Sequence, residues 1–268
     1  MNLINLLFGP PKGKPFHIIL DEILSKEDKK KIKSVLEKIF SMYERLADVR
    51  IARYYSDKPW CKDPNQPYCS LNYYIEECMT SNGLVDAKCL QNLSRKDPRQ
   101  QKEPHYDVYI IDDFLYLPGE LPPPLEIIYG VSYPAITPDG QIISDIRSIT
   151  ISVGIMKFFY RLNWLDLFSF TAAHLLGRFF GLPNPESPYY INSTDPRAKE
   201  NPHYSSSCSY KYCVMGGIPP FEKPVDFAMK ILKNNPNLYC DYDLQLLRRN
   251  LNILFGRPNY TKDKNRIT

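Results

Sequence analysis

Two side chains capable of chemistry interrupt an otherwise apolar stretch of the sequence, TAAHLLGRFFGLPN (Thr171–Asn184). His174 and Arg178 are four residues apart, so a helix through this stretch places both on one face. Gly181 follows the last helical positions and permits a sharp turn of the chain. If the helix is buried, the imidazole and the guanidinium must each have a polar partner.

The spacing of these residues resembles the zinc-binding helix of metzincin peptidases. In that motif histidines at i, i+4 and i+10 bind zinc, a glutamate at i+1 activates the bound water, and a glycine at i+7 makes the turn. His174 matches the first ligand and Gly181 matches the turn. The other positions differ, with Leu175 at the general base, Arg178 at the second ligand and Asn184 at the third.

A cysteine pattern farther along the chain resembles the archaemetzincin family in particular. The segment Cys208–Met215 reads C-x4-C-x-M, and Asp243 follows Cys240 where that family has a C-x2-C pair. The upstream stretches DVYIIDD, IYGVSY and IIS…R also resemble the strands that precede the family's catalytic helix. The resemblance covers roughly residues 105 to 250, and the N-terminal strand–helix–strand pattern is compatible with it.

The resemblance implies a fold and two metal sites. The expected fold is a metzincin-like mixed α/β (α+β) sheet with a long helix of the active-site type and an irregular C-terminal part that contains cysteines. The family binds a catalytic zinc and a second, structural zinc on four cysteines. It also has a methionine turn beneath the catalytic site, which Met215 matches.

The departures from the family pattern argue against a catalytic zinc. Leu175 cannot take up a proton, and the permanent charge of Arg178 would repel the metal. In the family the third histidine directly precedes the first of the C-terminal cysteines. Here Ser207 stands at that place, and about twenty residues separate the end of the helix from Cys208. The family's three-histidine site cannot be assembled from this helix and its turn, because the whole chain has only four histidines: His17, His105, His174 and His203.

Each retained residue of the helix has two interpretations. His174 is either a relic ligand or a core histidine that is hydrogen-bonded to a neighbour. Our hypothesis for Arg178 is that its charge replaces the lost metal as a binding residue, held by a carboxylate such as Glu186 or Asp195 or by backbone carbonyls. The alternative is that the Arg178 side chain extends to the surface.

A structural zinc remains possible at the C-terminal cysteines, with either His203 or Asp243 as the fourth ligand. Three cysteines and a histidine form a common closed zinc site, whereas three cysteines and an aspartate do not. The alternative is one disulfide with a free thiol, or three thiols. The three cysteines are Cys208, Cys213 and Cys240.

The chain is predicted to form one domain with an insertion and a tail. Residues 1–256 make the metzincin-like domain, with a Cys-rich insertion at about 56–104, and residues 257–268 make a basic C-terminal tail. We interpret the insertion's four cysteines as disulfides or thiols, with a second zinc as the alternative: Cys61, Cys69, Cys78 and Cys89. From Arg248 to Thr268, six Lys/Arg stand against one Asp, a net charge of +5 that can contact nucleic acid or an acidic partner.

The sequence also predicts the main elements. Ser25 caps an N-terminal helix, with Asp28 at the capping-box position. Long helices are expected at Leu162–Leu182 and Cys240–Phe255, with a shorter one at FAMKILKN. Strands are expected at Phe16–Leu24, Val49–Tyr55, His105–Gly119, LEIIYGVSYP and QIISDIRSITISVG.

Composition adds little to the function. A net charge of +4 is too small to indicate nucleic-acid binding by itself, and no long uncharged apolar run or leader is present, so we expect a soluble, cytoplasmic chain. Twenty-four prolines and only 12 glycines suggest the stiff loops of thermophile proteins, although asparagine is not depleted.

The sequence thus predicts a metzincin-like protein that has lost peptidase activity and acts by binding or scaffolding with a protein partner. One alternative is an active zinc peptidase with a rearranged site that uses His174, His203 and a carboxylate such as Glu186 or Asp195. Another is a subunit of a nucleoprotein assembly that contacts nucleic acid through the basic tail.

Overall fold

The computed structural model describes residues 13–56, 71–96, 100, 103–118, 127–143, 148–192, 194, 206–216 and 222–256. Several residues named above lie outside these ranges, namely Cys61, Cys69, Asp195, His203 and the tail 257–268.

The described residues form seven helices and ten strands. The helices are α1 (Lys26–Ala47), α2 (Leu71–Glu77), α3 (Ala87–Lys96), α4 (Val153–Tyr160), α5 (Trp164–Phe179), α6 (Pro224–Asn234) and α7 (Asp241–Phe255). The strands are β1 (Phe16–Leu20), β2 (Arg53–Ser56), β3 (Val85–Asp86), β4 (Tyr106–Ile111), β5 (Leu115–Tyr116), β6 (Ile127–Ile128), β7 (Gly130–Ser132), β8 (Ser148–Ser152), β9 (Tyr190–Ile191) and β10 (Ser207–Cys208). None of the described helices is long and apolar enough to cross a bilayer.

A five-stranded mixed sheet organises the molecule. Its strand order is β2-β1-β4-β8-β7, and every pair is parallel except β7 with β8. The central strands β1, β4 and β8 are buried at every position, because helices cover both faces of the sheet. The predicted mixed α/β fold is confirmed.

One face of the sheet carries the larger core. Side chains alternate along a strand, so Phe16, Ile18 and Leu20 of β1 share this face with Val108 and Ile110 of β4. Helices α1, α5 and α7 pack there, and the aromatic rings of α5 contact the ring at the start of β1.

Helix α1 begins and packs as its sequence predicts. The Ser25 hydroxyl accepts a hydrogen bond from the Asp28 amide at 3.0 Å, which caps the first turn. Apolar residues at helical spacing line the buried face of α1, with Leu46 half-buried, and the buried set is Ile32, Val35, Leu36, Ile39, Phe40, Tyr43 and Ala47.

The opposite face is covered by part of the insertion. Residues of α2 and α3 form a second apolar core with Ile19 of β1 and Tyr109 and Ile111 of β4. A disulfide between Cys78 and Cys89 joins the end of α2 to α3. The described part of the insertion is therefore a layer of the fold and contributes to its core.

The chain around the long helix differs from the sequence-based prediction. The expected strand QIISDIRSITISVG ends at Ser152, and α4 follows directly, with the Ser152 hydroxyl accepting from the Ile155 amide at 3.4 Å. The sequence of α4 is apolar except for Lys157 and shows no helical period, which is why this helix was not predicted. Helix α5 begins at Trp164 and ends at Phe179 rather than at Leu182, because Gly181 adopts a φ of 84° and turns the chain.

Candidate functional site

Helix α5 presents its chemistry-bearing residues beside the antiparallel edge strand β7. Leu175, at the general-base position, is 7% exposed and packs against this strand. The contact is so close that a Cβ added at Gly130 would lie 2.6 Å from Leu175 Cδ1. The general-base position is thus filled by apolar packing between helix and sheet.

The imidazole of His174 is tied to the backbone of the methionine segment. Its Nδ1 lies 2.8 Å from the carbonyl oxygen of Val214, and the ring lies 6.2 Å from that of Phe170, one turn earlier. Because a carbonyl only accepts, Nδ1 carries the proton. This contact fits the interpretation of His174 as a histidine hydrogen-bonded to a neighbour.

The guanidinium of Arg178 lies against protein groups. Its Nη2 donates a hydrogen bond to the carbonyl oxygen of Ser206, directly before β10. Burial lowers the pKa of Arg178 to about 10, while the charges of Tyr190 and Asp243 oppose this shift. The side chain therefore stays cationic at neutral pH, and a backbone carbonyl is the partner that the structure shows, as one form of our hypothesis expects.

Two glycines allow a close contact and a turn in this region. Gly177 allows Met215 to pack against α5, since a Cβ at that position would lie 2.7 Å from the Met215 sulfur. Gly181 makes the turn after the helix at positive φ. Met215 itself is fully buried. Met215 therefore packs against α5 at Gly177, and Gly181 turns the chain after the helix.

Asn184, at the third ligand position, bonds instead to the start of α7. Its backbone amide donates to Asp243 Oδ1 at 2.7 Å, and its side-chain amide donates to the Tyr242 carbonyl at 3.0 Å. Asn184 and Asp243 are both departures from the family pattern, and the structure shows that they are partners. The sequence analysis missed this pairing, although two polar replacements at motif positions were a signal for it.

Four buried side chains meet beside this pair. The thiols of Cys208, Cys213 and Cys240 and the carboxylate of Asp243 each offer an atom within 4.8 Å of the others. The Cys208 and Cys240 sulfurs are 3.8 Å apart, and Cys213 Sγ is 3.0 Å from Asp243 Oδ2. Of the two fourth ligands considered, Asp243 lies in the cluster and His203 lies outside the described residues.

The geometry and charge of this cluster suit a cation. Tetrahedral zinc with bonds of about 2.3 Å to sulfur separates two thiolates by about 3.8 Å, as seen for Cys208 and Cys240. The contact between Cys213 and Asp243 is shorter than the roughly 3.5 Å that such a metal would impose. Burial raises the pKa of Asp243 to about 6, and hydrogen bonds to Cys208 and Cys240 with burial raise the pKa of Cys213. A divalent cation would allow these groups to ionise together.

The two metals that the resemblance implies therefore fit differently. The residues at the catalytic positions do not fit zinc, because His174 supplies a single imidazole, a guanidinium takes the second position and Asn184 bonds elsewhere. The Cys208–Asp243 cluster offers four donors in a closed, buried arrangement, which is the form of a structural site. Glu186, the carboxylate considered for a rearranged site, is exposed.

Comparisons with known proteins locate the fold. The sequence matches no protein-family model and no curated protein. The crystal structure of archaemetzincin from Methanopyrus kandleri matches with a TM-score of 0.50 at 15% identity, over 89% of this chain and 96% of that one. Archaemetzincin from Archaeoglobus fulgidus, complexed with malonate, matches with a TM-score of 0.45 at 11% identity, over 87% and 99%. The predicted resemblance is confirmed at the level of fold: the chain has an archaemetzincin-like fold.

Proposed function

We propose that this protein is a catalytically inactive metzincin-like protein, a pseudopeptidase, that acts by binding or scaffolding. The observation that carries the proposal is the state of α5. The guanidinium of Arg178 occupies the second ligand position and is held by the Ser206 carbonyl. Leu175 occupies the general-base position and packs on β7. Neither group can bind zinc or move a proton.

We further propose a structural zinc on Cys208, Cys213, Cys240 and Asp243. Zinc there would link β10, the methionine segment and the N-terminal end of α7. The Asn184 amide, which holds Asp243 Oδ1, would orient the carboxylate as an outer-shell partner. The metal would then stabilise the region beside α5 and strand β7 without taking part in a reaction.

In this proposal the binding surface is the region beside α5 and strand β7. Strand β7 lies at the edge of the five-stranded sheet and pairs with β8 on one side. Such an edge can accept an extended peptide as an added strand, with affinity from backbone hydrogen bonds. The partner is a protein segment that is bound and not cleaved.

Peptidase assays on the purified full chain test the loss of catalysis. We expect no hydrolysis of casein or of mixed peptide libraries, with or without added Zn²⁺. Hydrolysis that a chelator and His174→Ala both abolish would overturn the proposal and favour the rearranged peptidase. The triple variant Leu175→Glu, Arg178→His, Asn184→His should gain zinc relative to wild type, because it restores the ligands missing from α5 and its turn.

Metal analysis tests the structural zinc separately. Wild-type protein should retain zinc through dialysis against a weak chelator, and Cys208→Ser should lower the zinc content. Ser209→Ala is the matched control and should leave the zinc content unchanged, because Ser209 is the next residue in sequence, is exposed and donates its hydroxyl to the Tyr189 carbonyl. Contact with nucleic acid through residues 257–268 stays a prediction, and salt-dependent copurification of nucleic acid would support it.

A further inference from the structure

Two of the chain's histidines come together on the face of the sheet opposite α5. In the register of the parallel strands, His17 of β1 pairs with Asp107 of β4, so both side chains point to the same face. His105 stands two residues before Asp107 and shares that face. All three side chains are buried, at 7% exposed for His17, 8% for His105 and 0% for Asp107.

The polar atoms of these residues converge. His17 Nδ1 lies 3.8 Å from Asp107 Oδ1, and His105 Nε2 lies 3.2 Å from the same oxygen. All three residues offer an atom within 4.8 Å of the others. Tetrahedral zinc with bonds of about 2.0–2.1 Å to nitrogen and oxygen separates its ligands by about 3.4 Å, which falls between the two distances.

Surrounding groups hold the ligand atoms in place. His105 Nδ1 lies 2.6 Å from the Glu103 carbonyl oxygen, so Nδ1 carries a proton and Nε2 is the ring nitrogen that faces Asp107. Asp107 Oδ2 accepts hydrogen bonds from the Ser94 hydroxyl and from Gln100 Nε2. These contacts match the outer-shell pattern of metal sites, in which a ligating imidazole donates to a carbonyl and a ligating carboxylate is itself hydrogen-bonded.

One oxygen of this buried carboxylate is left for a further partner. Asp107 Oδ1 receives no hydrogen bond in suitable geometry from the described residues, although it is fully buried. Ser148 of β8 pairs with Asp107 in the register, and its buried hydroxyl likewise has no hydrogen-bond partner within the described ranges. A buried anionic oxygen is costly unless a positive charge lies beside it, and a protonated imidazole or a bound cation can supply that charge.

We propose that His17, His105 and Asp107 bind a divalent first-row transition metal, with Zn²⁺ as the ion to test. Two imidazoles select such a metal over Ca²⁺ or Mg²⁺, which prefer oxygen ligands. Three protein ligands leave one position for water, and the Ser148 hydroxyl in the same row of the sheet provides a polar neighbour for it. This site lies on the insertion side of the sheet and is independent of the proposed function.

Cobalt titration of the full-length wild-type protein distinguishes this site from the cysteine cluster. Thiolate ligands give intense near-ultraviolet charge-transfer bands with Co²⁺, whereas imidazole and carboxylate ligands give only weak visible bands. We expect two bound ions, one with sulfur bands and one without. The proposal would be overturned if every bound ion showed sulfur bands, or if no ion were bound outside the cysteine cluster.

Paired variants assign the second ion. Asp107→Asn and His17→Gln keep polar groups of similar size and should each lose the ion that lacks sulfur bands while retaining the other. His174→Gln is the matched histidine control and should keep both ions. If Asp107→Asn fails to fold, X-ray absorption at the zinc edge of wild-type protein decides, since the multiple scattering of imidazole ligands, which the Cys208–Asp243 cluster does not supply, must appear beside sulfur. Retention of both ions in His17→Gln and Asp107→Asn contradicts the assignment.

Discussion

At the scale of single residues, α5 keeps part of the spacing of a metzincin zinc helix, while its residue types differ at the positions of the general base and of two ligands. His174 and Gly181 occupy their motif positions, and Met215 packs beneath α5 through the space that Gly177 leaves. The replacements are not arbitrary, because each has a partner in the fold. Arg178 bonds to Ser206, and Asn184 bonds to Asp243. These positions therefore make structural contacts, whereas a zinc site would need side chains whose ligand atoms are free to bind the metal.

Arg178 should contribute to stability through its bond to the Ser206 carbonyl. Arg178→Met keeps most of the side-chain volume but leaves that carbonyl without this donor, so we expect a loss of about 1–2 kcal/mol in the free energy of unfolding. Urea denaturation measures it. Arg248→Met, at an exposed position of α7, is the control and should change stability by less than about 0.5 kcal/mol. Equal effects of the two substitutions would contradict a structural role for Arg178.

At the scale of elements, polar side chains connect the ends of helices and strands. Asn250 of α7 is fully buried, and its side-chain amide donates to the Phe180 carbonyl at the C-terminal end of α5 at 2.8 Å. That carbonyl is one of those a helix end leaves without an intrahelical partner. At the β2 edge of the sheet, Arg53 bonds to Glu37 and Glu44 of α1. These contacts fix how α7 and α1 lie on the sheet.

Loss of the Asn250 side chain should uncouple α7 from α5. Asn250→Ala removes the donor to Phe180 and leaves a small cavity, for which we expect a cost of about 1–3 kcal/mol. Asn252→Ala is the control on the same helix, because Asn252 is exposed and its side-chain amide bonds only to the preceding turn. Thermal and urea unfolding of both variants measure the difference, and similar midpoints would argue against the proposed coupling.

The Arg53–Glu37 pair predicts a specific dependence of stability on pH. The hydrogen bond from Arg53 lowers the pKa of Glu37 below its ordinary value. Its contribution is therefore present above the unfolded-state pKa of about 4.3 and is lost as the pH falls through the folded-state pKa. Because the Glu37 side chain is 39% exposed, solvent screening limits this contribution to about 1 kcal/mol or less.

The substitution Glu37→Gln tests this sign. It should lower stability at pH 7 and have a vanishing effect near pH 2, as followed by urea denaturation across the range. Glu27→Gln disrupts a more exposed pair with Lys31 on the same helix and should have a smaller effect at every pH. A Glu37→Gln penalty that grows toward low pH would have the wrong sign for a depressed carboxylate pKa.

At the scale of the whole molecule, the sheet separates two cores with different content. The face toward α1, α5 and α7 carries the larger core. The face toward α2 and α3 carries the smaller core, the Cys78–Cys89 disulfide and the buried His17–His105–Asp107 cluster. The insertion thus covers one face of the sheet, and its stability should be partly independent of the larger core on the other face.

Removal of the disulfide tests that independence. A cross-link that closes a loop of 11 residues contributes about 2–3 kcal/mol in the chain-entropy account, so Cys78→Ala with Cys89→Ala should destabilise the insertion by this order. Hydrogen exchange should show lost protection in α2 and α3 and retained protection in α5. Uniform loss of protection across both cores would mean that the molecule unfolds as one unit.

The sequence by itself determined the elements with a clear period or a defined cap and the positions of the motif. Helix α1 with its Ser25 cap, the buried strands and the matches at His174, Gly181 and Met215 follow from local patterns, because periodicity and turn chemistry are local properties. Helix α4, which is apolar except for Lys157, has no such period and was not predicted from the sequence. Local patterns also located the departures at Leu175 and Arg178, from which the loss of catalysis was inferred.

Only the tertiary structure decided which distant residues meet. The pairing of Asn184 with Asp243 spans 59 positions, and the convergence of His17 with Asp107 depends on the register of two parallel strands. Sequence shows that these residues are polar and available, but their partners are fixed by how strands align and how helices pack on the sheet. For that reason the sequence could show that α5 resembles a zinc-binding helix, whereas the metal site proposed on the opposite face could be inferred only from the fold.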